Sequence, residues 1–290
     1  MAANPFIYFS GDSFMAGEEL ADDTLQCWKD IFGTYQEKPD ARHHTEFYEA
    51  AKKEMHGWSD SQHEQYMRCQ LDRHWTTIVC DEHGIKHHND GVSGSSQEAV
   101  LHRAVISFDK FERAGNVPTL AIIQLTDPGR VTVYNKNIKT SIMAPRHAFD
   151  ISHVFHYTIE NPDVAIKQYT LAHMDVESKT GNIVRWLTTL AITNSFFKEK
   201  TGRYPIYLES SNMAARRYIQ RAENTASPGY ASLLHQARLH TGNPDIWNLG
   251  HDRHLLCPGG HHTPQTHANF AQFIAPHLLS RIGSRTGRRN

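Results

Sequence analysis

Thr119-Leu120-Ala121-Ile122-Ile123 is a continuous apolar run. It predicts a buried strand, because a strand covered on both faces carries apolar side chains at every position. Phe6-Ile7-Tyr8-Phe9 is a second run of strand-forming residues, and Gly11 follows it where a strand would turn. Strands that alternate with helical patterns indicate a parallel sheet with helices on both faces. We therefore predict an α/β fold, a three-layer α/β/α sandwich with a flavodoxin-like sheet.

Weaker patterns extend this topology along the chain. Short β-branched or apolar runs predict further strands over residues 76–80, 204–208 and 245–249. Apolar residues at helical spacing predict helices over residues 17–32, 97–113, 161–172, 181–200, 212–222 and 267–282.

Residues 36–75 interrupt the pattern because they are polar and rich in Glu, Lys and His. They contain helical stretches over residues 46–55 and 62–71, so we expect a helical insertion that leans over the carboxyl edge of the sheet as a partial lid. No internal repeat or clear linker divides the chain. We expect a single domain over residues 1–290, ending in a short basic tail at residues 283–290.

The charges of the chain nearly balance, with 30 Lys and Arg against 31 Asp and Glu and a net charge of -1. This balance argues against a nucleic-acid coat or a cationic membrane binder, so we expect neither partner. The N-terminal residues show no secretory signal, and no apolar run approaches the roughly 18 residues of a membrane span. We expect a soluble protein and assign it no compartment.

The 21 histidines are the unusual feature of the composition. Several of them lie close in sequence to a cysteine near the C-terminus: His251, His254, Cys257, His261, His262 and His267. Imidazole and thiolate are good zinc ligands, but these spacings match no zinc motif. We therefore expect no metal site and no other cofactor. The four cysteines lie far apart, which favours reduced thiols.

Ser10-Gly11-Asp12-Ser13-Phe14 places a serine between the first predicted strand and a helix. The Ser13 hydroxyl would then emerge at the carboxyl end of the sheet, where open α/β sheets bind ligands. The helix N-terminus would offer free N–H groups to an oxyanion formed beside the serine. An ordinary Asp/Ser capping turn is the alternative interpretation of the same residues.

Four short windows together resemble the SGNH, or GDSL, hydrolase superfamily. Gly11-Asp12-Ser13 with Gly17 is similar to its first block, and Asn89-Asp90-Gly91-Val92-Ser93-Gly94 is similar to its second. Gly260-His261-His262-Thr263-Pro264, with His267 beyond it, is similar to the block that carries the catalytic histidine. The resemblance implies that Ser13 is the nucleophile, that Ser13 and Gly94 supply oxyanion N–H groups, and that His261 is the base. If the family block is aligned one residue further along the chain, His262 is the base instead.

Two residues depart from the family pattern. Pro128 stands where the third block has an oxyanion-hole Asn, and proline offers no donor. Thr126, Arg130 or Asn89 would have to supply that donor instead. Pro258 stands where the family has the Asp that orients the histidine. A Ser–His dyad is what remains, with Asp252 or a backbone carbonyl as the orienting group.

The resemblance thus implies an acyl-ester hydrolase whose substrate is a small or carbohydrate-linked ester. Candidates for substrate binding are Asp12, Thr126, Arg130 and His262. The sequence from Thr126 to Arg130 and the context of Ser13 are more similar to divergent SGNH-like proteins of tailed bacteriophages than to secreted lipases. The alternative function is therefore a phage virion or host-attachment protein on a catalytically degenerate fold, with other virion proteins as partners.

Overall fold

The computed structural model describes residues 5–17, 20–32, 41–92, 95–126, 128, 132–134, 148–150, 179–208, 228–237 and 263–283. The chain divides into two compact units. The first unit comprises residues 1–5, 16–87 and 245–290, and the second comprises residues 6–15 and 88–244. Each unit combines separate segments of the chain, and the expectation of a single domain stays a prediction.

Six strands and nine helices lie within the described residues. The strands are β1 (Phe6–Ser10), β2 (Lys86–Asn89), β3 (Leu120–Gln124), β4 (Thr132–Tyr134), β5 (Ala148–Asp150) and β6 (Ile206–Leu208). The helices are α1 (Ser13–Ala16), α2 (Gln26–Phe32), α3 (Ala41–His56), α4 (Asp60–Asp72), α5 (Trp75–Glu82), α6 (Gln97–Arg113), α7 (Lys179–Thr201), α8 (Pro228–Ala237) and α9 (Pro264–Gly283). A 3-10 turn spans Asp22–Thr24.

Four strands form one sheet in the order β2-β1-β3-β6. The pairing of β1 with β3 is parallel, with Ile7 opposite Leu120, and β3 with β6 is parallel as well. Every residue of β1 and β3 is buried, so both faces of these strands are covered. The predicted α/β class is confirmed, and the 2-1-3 order is that of flavodoxin-like sheets. Strands β4 and β5 form a separate antiparallel pair.

The core of the second unit lies between the sheet and helices α6 and α7. Tyr8 of β1 meets Phe108 of α6 edge to face, with ring centroids 5.3 Å apart. Apolar residues of α6 recur at a spacing of four, which places them on one face of the helix. The buried members include Val100, Ala104, Phe108, Ala121, Ile123, Trp186, Leu187, Leu190 and Tyr207.

The predicted insertion contains the two expected helices, as α3 and α4. In the first unit, α2 and α3 share an aromatic cluster in which Trp28 meets Phe47 edge to face at 5.2 Å. Glu54 of α3 accepts hydrogen bonds at 2.9 Å from the backbone N–H groups of both Gln26 and Cys27, at the start of α2. Elsewhere in this unit, Trp75 of α5 packs against Phe270 of α9. The placement of the insertion as a lid stays a prediction.

Two sequence-based expectations about secondary structure were wrong, and one strand was missed. Residues 17–32 are not one helix, because Gly17 has a φ of 73° and a turn and the 3-10 segment precede α2. Residues 76–80 belong to helix α5 rather than to a strand, and His74 caps that helix through its ring nitrogen. Strand β2 was missed because Lys86-His87-His88-Asn89 carries no apolar pattern.

Several predictions fall outside the described residues: the helices at 161–172 and 212–222, the strand at 245–249 and the basic tail beyond residue 283. The helix predicted over 181–200 is confirmed as α7, and that over 97–113 as α6. Within the described part of the chain, no helix has the length and apolar character to cross a membrane.

Candidate active site

Ser13 begins helix α1, three residues after the end of β1, as predicted. The turn before it is tightly packed. A Cβ atom added to Gly11 would lie 2.6 Å from Gln124 Cβ and 2.8 Å from Met15 Cβ, so only glycine fits there. Because α1 has only four residues, the expected contribution of a helix dipole at Ser13 is small.

A second turn, residues 90–92, lies against the Ser13 turn. The N–H of Asp90 donates to Phe9 O at 2.8 Å, and the N–H of Val92 donates to Gly11 O at 3.2 Å. Asn89 Nδ2 donates to Met15 O at 2.7 Å, while Asn89 Oδ1 accepts the N–H of Gly91 at 2.9 Å. The amide of Asn89 therefore joins the two turns, and this is the role the structure shows for it.

The Asp90 carboxylate is the centre of a hydrogen-bond network in the second unit. Tyr8 Oη donates to Asp90 Oδ2 at 3.0 Å, Ser107 Oγ donates to the same oxygen, and His88 Nε2 lies 2.8 Å from Oδ1. Burial by itself raises the pKa of Asp90, but the bonds from His88, Ser107 and Tyr8 and the charge of His88 together hold it below its usual value. Asp90 is therefore an ionised, firmly held residue.

Arg103 of α6 binds the main chain of both turns. Its Nε donates to Asp90 O and its Nη2 donates to Gly11 O, each at 3.0 Å. Burial lowers the pKa of the guanidinium, and the negative charges of Asp90 and Asp12 oppose that shift. An arginine stays protonated in proteins, so this is a cation held inside the unit.

The end of β3 carries three buried polar groups. Gln97 Oε1 accepts the N–H of Thr126 at 3.2 Å. Gln97 Nε2, Gln124 Oε1 and Thr126 Oγ1 are buried and have no hydrogen-bond partner among the described residues. The Gln124 side chain also lies against Gly11, so these polar atoms border the turn before Ser13. Neither glutamine was singled out from the sequence, because an isolated Gln carries no pattern.

The other candidates differ in how far the structure describes them. Asp12 is buried in the Ser13 turn, and Pro128 is buried with its carbonyl oxygen 3.4 Å from Arg185 Nη2. Five candidates lie outside the described residues, and their roles stay predictions: Gly94, Arg130, Asp252, His261 and His262. Substrate binding by Asp12 and Thr126 likewise stays a prediction.

His267, the second histidine of the C-terminal window, belongs to the core of the first unit. It is 2% exposed, and its Nδ1 accepts the N–H of Trp75 at 3.3 Å. The ring of His74 lies 4.7 Å away, and its Nδ1 accepts the N–H of Thr76 at 3.2 Å. A nitrogen that accepts is unprotonated, so each neutral ring carries its proton on Nε2. Within the described residues, no three His, Cys, Asp or Glu side chains are grouped to hold a metal ion.

Comparison with known proteins found no matching family model and no matching curated protein. The chain is similar in structure to TesA, with 10% identity over 94% of this chain and 97% of the other and a TM-score of 0.42. It is similar to the psychrotrophic esterase EstA from Pseudoalteromonas sp., with 9% identity and a TM-score of 0.44; the match covers 96% of this chain and 99% of the esterase. It is also similar to a carbohydrate esterase, with 10% identity and a TM-score of 0.42; the match covers 96% of this chain and 66% of the carbohydrate esterase.

Proposed function

We propose that the protein is a serine ester hydrolase of the SGNH type that cleaves a small or carbohydrate-linked acyl ester. The observation that carries this proposal is the pair of turns at the carboxyl end of β1 and β2, bonded to each other through Gly11, Val92 and Asn89. One turn leads into Ser13 and the other leads toward Gly94. The sequence resemblance assigns these two residues to the nucleophile and the oxyanion site.

In this mechanism the Ser13 hydroxyl attacks the ester carbonyl while His261 removes its proton. The N–H groups of Ser13 and Gly94 stabilise the tetrahedral oxyanion, and each well-placed donor lowers the barrier by about 3 kcal/mol. The alcohol leaves with the proton from His261, and an acyl-Ser13 ester forms. Water then attacks this ester with His261 as the base, which releases the acid and the free serine.

Pro128 and Pro258 make this site simpler than that of a complete family member, because one oxyanion donor and the usual orienting acid are missing. Asp252 is the carboxylate we propose for orienting His261. A site without a well-placed acid still turns over, at a lower rate, since the base and the oxyanion donors remain.

The decisive experiment is labelling with a fluorophosphonate probe, together with hydrolysis of p-nitrophenyl acetate. Wild type is compared with Ser13→Ala, His261→Ala and His262→Ala, and with Ser195→Ala, which removes an exposed serine of α7, as the control. We expect labelling to disappear in Ser13→Ala, to fall strongly in His261→Ala and to persist in the other two variants. If His262→Ala alone abolishes turnover, the base is His262.

The second candidate function is a phage virion or host-attachment protein built on an inactive hydrolase fold. The replacement of the family Asn by the donor-free Pro128 is the observation that favours it. A wild-type protein that is neither labelled by fluorophosphonate nor active between acidic and alkaline pH would support this function and contradict the first.

A further inference from the structure

Arg103 is the one residue of α6 whose side chain bonds to the main chain of both turns of the candidate site, within the part of the chain that the structure describes. Its two bonds end on carbonyl oxygens, Gly11 O and Asp90 O, each 3.0 Å away. Gly11 lies two residues before Ser13, and Asp90 lies four residues before Gly94. A single rigid guanidinium plane thus fixes the distance between the two turns.

Arg103 is buried although it carries a charge. The residue is only 8% exposed, and an arginine is rarely buried unless its donors are satisfied. Asp90 is fixed at both ends, because its carbonyl accepts from Arg103 while its carboxylate accepts from Tyr8 and Ser107. The Asp90 end of the bridge is therefore held through both its carbonyl and its carboxylate.

We infer that Arg103 is a positioning residue for the reaction, which holds the turn before Ser13 against residues 90–92, the segment that precedes the proposed oxyanion residue Gly94 in the sequence. This inference rests on the proposed function. Oxyanion donors act only when their geometry is set before the reaction, and a misplacement of about 1 Å lowers the rate roughly 100-fold. A site that already lacks the family Asn depends more on the donors that remain.

The test compares Arg103→Met and Arg103→Lys with wild type. Methionine keeps much of the apolar stem and removes both bonds, while lysine keeps the charge but has no planar fork to span two carbonyls. We expect the rate of fluorophosphonate labelling and kcat for p-nitrophenyl acetate to fall roughly 100-fold in Arg103→Met, with KM nearly unchanged. For Arg103→Lys, the labelling rate and kcat should lie between the values for Arg103→Met and for wild type.

Arg113→Met is the matched control, because Arg113 ends the same helix and its side chain is 78% exposed in an ion pair with Asp109. It should label at the wild-type rate. If wild type is labelled at Ser13 and both Arg103 variants label equally fast, the inference is wrong while the proposed function stands. If wild type is not labelled at Ser13, both fail.

Hydrogen exchange provides a readout that does not depend on activity. Arg103→Lys and Asn89→Ser, which removes the amide bond to Met15 O, should each speed exchange in residues 9–17 and 88–92 relative to Arg113→Met. Unchanged exchange in both segments of Arg103→Lys would overturn the role assigned to Arg103 as the link between the turns, whatever the result for Asn89→Ser.

Discussion

The Asp90 network of the second unit and the aromatic cluster of the first unit stabilise their surroundings by different physics. Asp90 is held by directed hydrogen bonds from Tyr8 and Ser107, and its carbonyl by Arg103. The cluster around Phe47 is held by ring packing, with Trp28 and Phe32 at centroid distances of 5.2 and 5.5 Å. Directed bonds constrain the relative positions of the groups that they join, whereas apolar packing contributes more free energy but tolerates rearrangement.

This difference predicts that stability and activity respond to different substitutions. Changes in the aromatic cluster should act mainly on the free energy of unfolding. Changes at the Asp90 network should act on the geometry of the two turns as well.

The largest expected effect on stability is that of Phe47→Ala. Phe47 is fully buried between Trp28 and Phe32, and the loss of a buried phenyl ring lowers the free energy of unfolding by about 4 kcal/mol. Urea denaturation followed by tryptophan fluorescence measures it. Phe47→Leu, which refills most of the volume of the ring, should recover at least half of the free energy of unfolding that Phe47→Ala loses. A loss below about 1 kcal/mol would show that the cluster contributes little.

A smaller loss is expected from Asp90→Asn, which should lower the free energy of unfolding by about 2 kcal/mol at neutral pH. The reason is that an ionised acceptor of several hydrogen bonds is replaced by a neutral amide. The pKa of Asp90 is lower in the folded protein than in the unfolded chain. Its stabilisation is therefore complete above the unfolded pKa of about 4 and is lost as the pH falls through the folded pKa.

The difference in unfolding free energy between wild type and Asp90→Asn should thus be constant above about pH 5 and should shrink in acid. Asp109→Asn, at an exposed position of α6, is the control and should show little difference at any pH. If the difference in unfolding free energy between wild type and Asp90→Asn stays constant down to pH 2, the ionised state assigned to Asp90 is contradicted.

The smallest of the three effects is expected from Glu54→Gln. Both carboxylate oxygens of Glu54 accept N–H groups at the start of α2, and an amide has only one such oxygen. We expect a loss of about 1 kcal/mol, the usual contribution of a helix cap. Thermal unfolding beside Glu49→Gln, an exposed change on the same helix, measures it. Equal Tm values for the two variants would mean that the cap contributes nothing.

The sequence predicted the elements whose patterns are set by local burial. β1, β3 and α6 follow directly from continuous or helically spaced apolar residues, because the sheet and its helices bury those faces. The strand predicted over residues 76–80 was wrong because Thr76, Ile78 and Val79 favour strands, whereas the packing of α5 against α9 and the cap from His74 favour a helix. Tertiary packing outweighs such weak preferences.

The candidate site was predicted in part for a related reason. Ser13 and the turn after Asn89 carry recognisable turn chemistry, so their position could be inferred. Arg103 could not, because a charged residue in an amphipathic helix is normally solvated and only the three-dimensional approach of two carbonyl oxygens explains its burial. Gln97 and Gln124 were missed likewise, since the burial of an isolated glutamine leaves no pattern in the sequence.

The bridge from Arg103 to Gly11 joins residues 92 positions apart. During synthesis at about 5 to 20 residues per second, roughly 5 to 20 s separate the appearance of the Ser13 turn from that of the helix that fixes it. Throughout that interval β1 is an apolar strand whose parallel partner β3 has also not been made. A nascent chain that stalls before residue 103 therefore exposes an apolar strand without its partner, and its yield in cells will depend on how well that strand is shielded.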